Sequence, residues 1–184
     1  KKRQFIFVSP EFSADESLKK LRNNGRYKNY FTGIDVSEES LEESGKDPNT
    51  FWQEDVLPIL KAAKAGTSII IDDITETCVP KQLQVYLNKM LRVGRHKKIG
   101  LISIQHKIRN GTFSSQSFSS VKRITLFPRG GGKGALTDFL HENAGLTRKQ
   151  AKIYIERFSE TGRSMTLHSW APTLLFNKKL AYFV

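Results

Sequence analysis

The run Ile69-Ile70-Ile71-Asp72-Asp73 places two adjacent carboxylates at the end of three isoleucines. Consecutive apolar residues of this kind mark a strand covered on both faces of a parallel sheet. In open parallel sheets, ligands bind beyond the carboxyl ends of the strands. Two acids there suit nucleotide hydrolysis: one holds Mg2+, usually through water, and the next polarises the attacking water. Asp72 and Asp73 are therefore candidates for those two roles. Alone, the pair also fits ordinary turn chemistry, since strands often end in Asp.

Two further features follow in the right order. Arg92-Val93-Gly94-Arg95-His96-Lys97-Lys98-Ile99 forms a turn whose arginines stand immediately before the next strand, and that strand, Ile99 to Ile104, ends in Gln105. A polar amide at the tip of a strand beside the diacid can orient the attacking water or sense the γ-phosphate. An arginine from the preceding turn can reach a neighbouring subunit's nucleotide and stabilise transition-state charge. The segment from Lys107 through Arg109, Phe113 and Phe118 to Ser120 mixes bases, hydroxyls and aromatics. That composition suits contacts to a nucleic-acid backbone and stacking. With Lys122 and Arg123, it makes Lys107 and Arg109 nucleic-acid candidates. His96 and His106 have no cysteine or carboxylate at zinc-ligand spacing.

The elements that must hold these residues alternate. Phe5-Ile6-Phe7-Val8 reads as a buried strand ended by Ser9-Pro10. Residues 11–50 are polar and acidic, with room for a short strand over Tyr30 to Val36. Asp47-Pro48-Asn49-Thr50 introduces a helix from about Phe51 to Ala65, with Phe51, Val56, Ile59 and Leu60 on one side and Gly66 closing it. Thr67 to Ile71 is a strand, and Pro80 to Arg92 an amphipathic helix with Leu83, Leu87, Met90 and Leu91 as its stripe. Ile99 to Ile104 is a further strand. Val121 to Phe127 returns to the sheet. Two helices, near Ala135–Ala144 and Arg148–Phe158, precede closing strands at Met165 to Trp170 and Leu180 to Val184. The expectation is one α/β domain over residues 1–184, mainly parallel, with a small C-terminal helical and strand part from about 130.

A hydrophobic fraction of 38% with 10% aromatics is enough for a packed core and argues against a disordered chain. No apolar run approaches the roughly 20 residues of a membrane span. The one cysteine, Cys78, excludes an internal disulfide framework and fits a reducing compartment, so a soluble intracellular protein is expected. The net charge of +12 is segregated. Thr77 to Thr137 holds twelve Lys and Arg and no acid, while eleven of the eighteen acids lie between Glu11 and Asp55. Such a positive region attracts a polyanion through counterion release.

The ordered set Ile69–Asp73, Arg92-x-Gly94-Arg95-His96-x-x-Ile99 and Ile102-Ser103-Ile104-Gln105 resembles the signature of the poxvirus-type genome-packaging ATPases of the FtsK–HerA superfamily. Leu126-Phe127-Pro128 and Gly162-Arg163-Ser164-Met165 with Pro172 also fit. The resemblance implies a P-loop NTPase of RecA/FtsK–HerA type, with ATP and Mg2+ as cofactors. It implies a homo-oligomeric ring that moves double-stranded DNA into a capsid alongside capsid or portal-vertex proteins, at a virion assembly site in the host cytoplasm or nucleus. Asp72 would be the Walker B aspartate, Asp73 the catalytic carboxylate and Gln105 the polar sensor. Arg95 or Arg92 would be the trans-acting finger. One departure is plain: no Gly-x-x-x-x-Gly-Lys-Ser/Thr loop is present, and Gly132-Lys133 is followed by Gly134 where Ser or Thr is required. An N-terminal truncation is the expected cause. The alternatives open at this point are a non-catalytic nucleic-acid-binding or scaffold relative, and a helicase or conjugation-type motor.

Overall fold

The computed structural model describes residues 3–74, 81–104, 121–129, 132–169 and 172–184, with the side chain of Gln82 left aside. Two compact units divide the chain, Lys1–Gln105 and His106–Val184.

The first unit is built on a parallel sheet of β1 (Phe5–Ser9), β2 (Phe31–Asp35), β3 (Ser68–Asp72) and β4 (Gly100–Ile104), in the order β2-β1-β3-β4. Short helices α1 (Glu16–Asn23) and α2 (Glu38–Ser44) fill the polar stretch in which the sequence shows only a possible strand. Their starts rest on side-chain caps: Asp15 accepts from the N–H groups of Ser17 and Leu18, and Ser37 from that of Ser40. Neither helix has a buried residue.

Residues 48–61 are helical throughout but not uniformly so. α3 (Pro48–Phe51) and α4 (Leu57–Lys61) flank one wide turn, Trp52–Val56, in which the Leu57 N–H reaches back to the Trp52 carbonyl. Pro58 accounts for it. The proline lacks an N–H, and its ring would meet the carbonyl four residues back, so the ladder widens there. The extra residue rotates the apolar stripe. Leu57 and Trp52 are buried, whereas Ile59, expected inside, is exposed. The helix also ends at Lys61 rather than Ala65. α5 (Lys81–Val93) follows its expected period, with Leu83, Leu87 and Met90 buried.

Aromatic packing fixes one edge of this sheet. The Phe12 ring lies 6.2 Å from that of Phe7 and 6.0 Å from that of Phe31. It rests on the bare Cα of Gly33 in β2: a Cβ built there would stand 1.7 Å from the Phe12 Cζ. At the other edge, β4 is the last strand of the described sheet, and it exposes Ile102 (52%) and Ile104 (46%).

The second unit has its own sheet, antiparallel, in the order β5 (Arg123–Leu126), β6 (Met165–His168), β7 (Leu174–Phe176) and β8 (Ala181–Phe183). Helices α6 (Lys133–Ala144) and α7 (Arg148–Thr161) share its core of Leu136, Leu140, Ile155, Phe158, Met165 and Leu167. β5 therefore corrects the expectation that Val121 to Phe127 rejoins the parallel sheet. Its residues alternate, with Ile124 and Leu126 packed on the core and Arg123 and Thr125 exposed, the pattern of a strand covered on one face only.

Candidate functional site

The sheet order β2-β1-β3-β4 contains a topological switch point. The chain runs from β1 outward to β2, then crosses back to add β3 on the other side of β1. The crevice between the carboxyl ends of β1 and β3 is where a doubly wound sheet offers a ligand site. Ser9 ends β1 and Asp72 ends β3 at this place, one register step past the Val8–Ile71 pair.

Asp73, immediately beyond, has a φ of +46°. A non-glycine residue in the left-handed region is uncommon, although Asp and Asn tolerate it better than most. Neighbours hold it there: Ile71 and Ile74 on either side are buried, and the Asp73 N–H donates to the Ile104 carbonyl at 3.1 Å. The chain thus bends sharply at the second carboxylate. Its backbone is tied to the end of β4, and both acids are only partly buried. Strain of this kind clusters where geometry serves chemistry.

The donor set fits a hard cation. Magnesium takes one or two carboxylates and completes its shell with water and phosphate oxygens, rather than with an all-protein cage. Asp72, at the end of β3, offers one such carboxylate, and among the described residues no group of three or more His, Cys, Asp or Glu gathers to form a cage.

A third carboxylate at this end escaped the sequence reading. Asp35 ends β2 in register with Ser9. It accepts the Ser13 N–H at 2.9 Å and the Ser37 N–H at 2.9 Å, so it ties together the loops that leave β1 and β2. Burial pushes its pKa up, but the hydroxyl and N–H bonds from Ser13 and Ser37 outweigh that and hold the carboxyl below its ordinary value. The available signal was that β2, like β3, ends in Asp. Because the folded pKa is depressed, the stabilisation is fully present above the unfolded carboxyl's pKa of about 3.9 and is lost as pH falls through the folded value. Asp35→Asn is therefore expected to lower the melting temperature at pH 7, with the deficit shrinking as pH falls through the acid range. Thermal scans across pH check this.

The arginines lie elsewhere. Arg92 stands in the last turn of α5 and Arg95 in the turn that follows, both exposed. Gly94 makes this turn possible. Its N–H donates to the Met90 carbonyl at 2.8 Å, its own carbonyl accepts from Ile99, and an added Cβ would meet the Met90 carbonyl oxygen at 2.5 Å. The turn feeds the amino end of β4, while Asp72 pairs with Ile104 at its carboxyl end. Four strand steps, about 13 Å at about 3.3 Å each, separate the two levels. Within one subunit the arginines and the diacid are not brought together.

Lys122 and Arg123 lead into and begin β5 in the second unit, and both are exposed. Gln105, Lys107 and Arg109 lie outside the described residues, as do Cys78, His106, Phe113 and Phe118.

No protein-family model matches this sequence, and no curated protein matches it. Solved structures do. The genome packaging NTPase B204 from Sulfolobus turreted icosahedral virus 2, in complex with AMP, superposes with a TM-score of 0.51 at 14% identity, over 98% of this chain and 81% of that one. The same protein in complex with sulfate gives 0.47 at 16% identity, over 97% and 83%. B204, the DNA-packaging ATPase from Sulfolobus turreted icosahedral virus, gives 0.45 at 13% identity, over 98% and 81%. The first of these likenesses shows the fold: a mixed α/β architecture with a parallel sheet flanked by helices.

Proposed function

We propose that this chain works in a DNA-translocating ATPase that packages a double-stranded viral genome into a capsid. The observation that carries the reading is the Asp72–Asp73 pair at the switch point, with Asp73 held at a left-handed φ beside the end of β4. The shared fold with a genome packaging NTPase supports it.

In this reading Asp72 holds the Mg2+ of a bound ATP, usually through water, and the ion supplies charge neutralisation at the phosphates. Asp73 accepts the proton side of the attacking water, and Gln105 takes the polar sensor position. Arg95 acts across a subunit boundary, with Arg92 as its alternate. The separation of the arginine turn from the diacid within one subunit supports action in trans, and with it a homo-oligomeric ring working at a capsid or portal vertex. These 184 residues contain no Gly-x-x-x-x-Gly-Lys-Ser/Thr sequence, so by themselves they are expected to bind and hydrolyse ATP poorly.

The test uses the complete reading frame that encodes this chain, assayed for ATP hydrolysis with and without double-stranded DNA. Hydrolysis stimulated by DNA is the expected result. Arg95→Ala should lower kcat by about 10³-fold, the lower range for an arginine finger. Mixing it with an Asp73→Asn protein should restore part of the rate, because each supplies what the other lacks. A rate that mixing leaves unchanged overturns the trans assignment. No hydrolysis with DNA binding intact overturns the motor reading and leaves a scaffold.

A further inference from the structure

The second unit carries 13 Lys and Arg against 4 Asp and Glu, whereas the first carries 17 against 14. Most of the chain's net charge therefore belongs to the unit without the diacid, and the helix pair shows how it is arranged. α6 and α7 are joined by only Gly145, Leu146 and Thr147. Gly145 at φ +68° closes α6, Leu146 is buried, and Thr147 opens α7 with a reciprocal capping box to Gln150. The His141 ring nitrogen Nδ1 bonds the Leu146 carbonyl at 2.6 Å, which further fixes the turn. A short glycine-containing turn joins the two helices of DNA-binding helix-turn-helix units, as it does those of ordinary helical hairpins.

The outward face of α7 carries Lys149, Lys152, Ile153, Glu156, Arg157 and Glu160. Its charge order runs against the helix dipole, which favours acids at the start and bases at the end. α1 obeys that rule, with Glu16 first and Lys20 and Arg22 last, and α2 opens on Glu38 and Glu39. α7 reverses it: Arg148 and Lys149 occupy the first turn, Lys152 the second, and the two acids the later half. Arg148 is neutralised by Asp138 at 3.1 Å, and Arg157 is held at the Tyr182 hydroxyl at 3.3 Å. Lys149 and Lys152 have no ion-pair partner among the described residues. Ile153, next to Lys152 in sequence and one turn beyond Lys149, is 40% exposed on the same face. Lys152 also shares a shallow cavity of about 280 Å³ with Lys133, the first residue of α6, and with Glu156.

We infer that the outward face of α7, centred on Lys149, Lys152 and Ile153, docks on double-stranded DNA. The basic amino-terminal half enters the major groove and Lys133 reaches the flanking phosphates. A reversed charge order that costs the free helix stability is offset once a polyanion lies against it. An α-helix of about 10–12 Å diameter matches the roughly 12 Å major groove of B-form DNA. The deep, narrow major groove of duplex RNA does not admit it. The acids at the far end of α7 keep that end out. This surface shares its partner with the proposed function but rests on the second unit alone, not on the hydrolysis reading.

The experiment measures binding of the 184-residue chain to a 25-base-pair DNA duplex by fluorescence anisotropy between 50 and 200 mM salt. Lys149→Ala with Lys152→Ala should reduce the slope of log K against log salt by about 2, one per lost phosphate contact. The matched pair Lys178→Ala with Lys179→Ala removes the same charge from the turn before β8 and should change it little. Both pairs are exposed, and unchanged melting confirms the fold. An equal loss from both pairs overturns the inference, as does equal affinity for an RNA duplex or for anionic phospholipid vesicles. If complete-reading-frame protein fails to hydrolyse ATP while this binding persists, only the motor reading falls.

Discussion

Replacing Asp73 by Asn in the complete reading frame should lower kcat for ATP hydrolysis by about 10²–10⁴-fold, the usual contribution of a positioned general base. The melting temperature should be nearly unchanged. The backbone is the reason this substitution is clean. At φ +46° the position penalises most side chains, but Asn visits the left-handed region at least as readily as Asp. The buried Ile71 and Ile74 continue to pin the bend. Asp73→Ala should lose the same activity and, in addition, about 1–2 kcal/mol of stability to the left-handed strain. Comparing kcat and melting for the two variants separates chemistry from architecture. Hydrolysis that survives in both assigns Asp73 to the turn alone.

Gly33→Ala should be the most damaging single change in the first unit. The new methyl would occupy space already held by the Phe12 ring, 1.7 Å from its Cζ. Phe12 is 4% exposed and wedged between Phe7 and Phe31, so the ring has no free volume to swing into. Overpacking of this kind costs about 1–3 kcal/mol, and expelling a buried phenylalanine about 3–5. A melting temperature lower by on the order of 10 °C is expected. Phe12→Leu, destabilising alone, should add less than its full cost in the Gly33→Ala background, since both changes act on one contact. Strict additivity in thermal melts of the four proteins defeats the account.

The parts legible in the sequence were those with a strong period or a sharp chemical break. Ile69–Ile71 ending in Asp72 declared both an interior strand and its carboxyl terminus, and Leu83, Leu87 and Met90 declared α5. α1 and α2 were illegible for the opposite reason: both are solvated, and caps rather than buried faces hold their starts. The helix from about Phe51 to Ala65 was read as continuous across Pro58, where the structure breaks its ladder. That the break would be a wide turn, burying Leu57 and exposing Ile59, depends on which hydrogen bond re-forms, and periodicity does not encode that. The site was half legible. Asp72 and Asp73 followed from the strand, but the switch point that gives them meaning depends on strand order, which no local pattern carries. Asp35 was missed because its neighbours Ser13 and Ser37 reach it only once two loops have folded.

The far side of β4 has a bearing on how assemblies of this chain are interpreted. Gly100–Ile104 is the last strand of the described sheet, and it leaves Ile102 and Ile104 exposed. Such a margin is a template for a further strand. Two copies meeting margin to margin would pair antiparallel about a two-fold axis, and that contact is self-complementary and stops at two. A ring is built otherwise, from two different faces meeting head to tail. A dimer in solution would therefore speak to sheet completion rather than to a motor, and only an assembly larger than two would bear on whether Arg95 meets a neighbour's nucleotide.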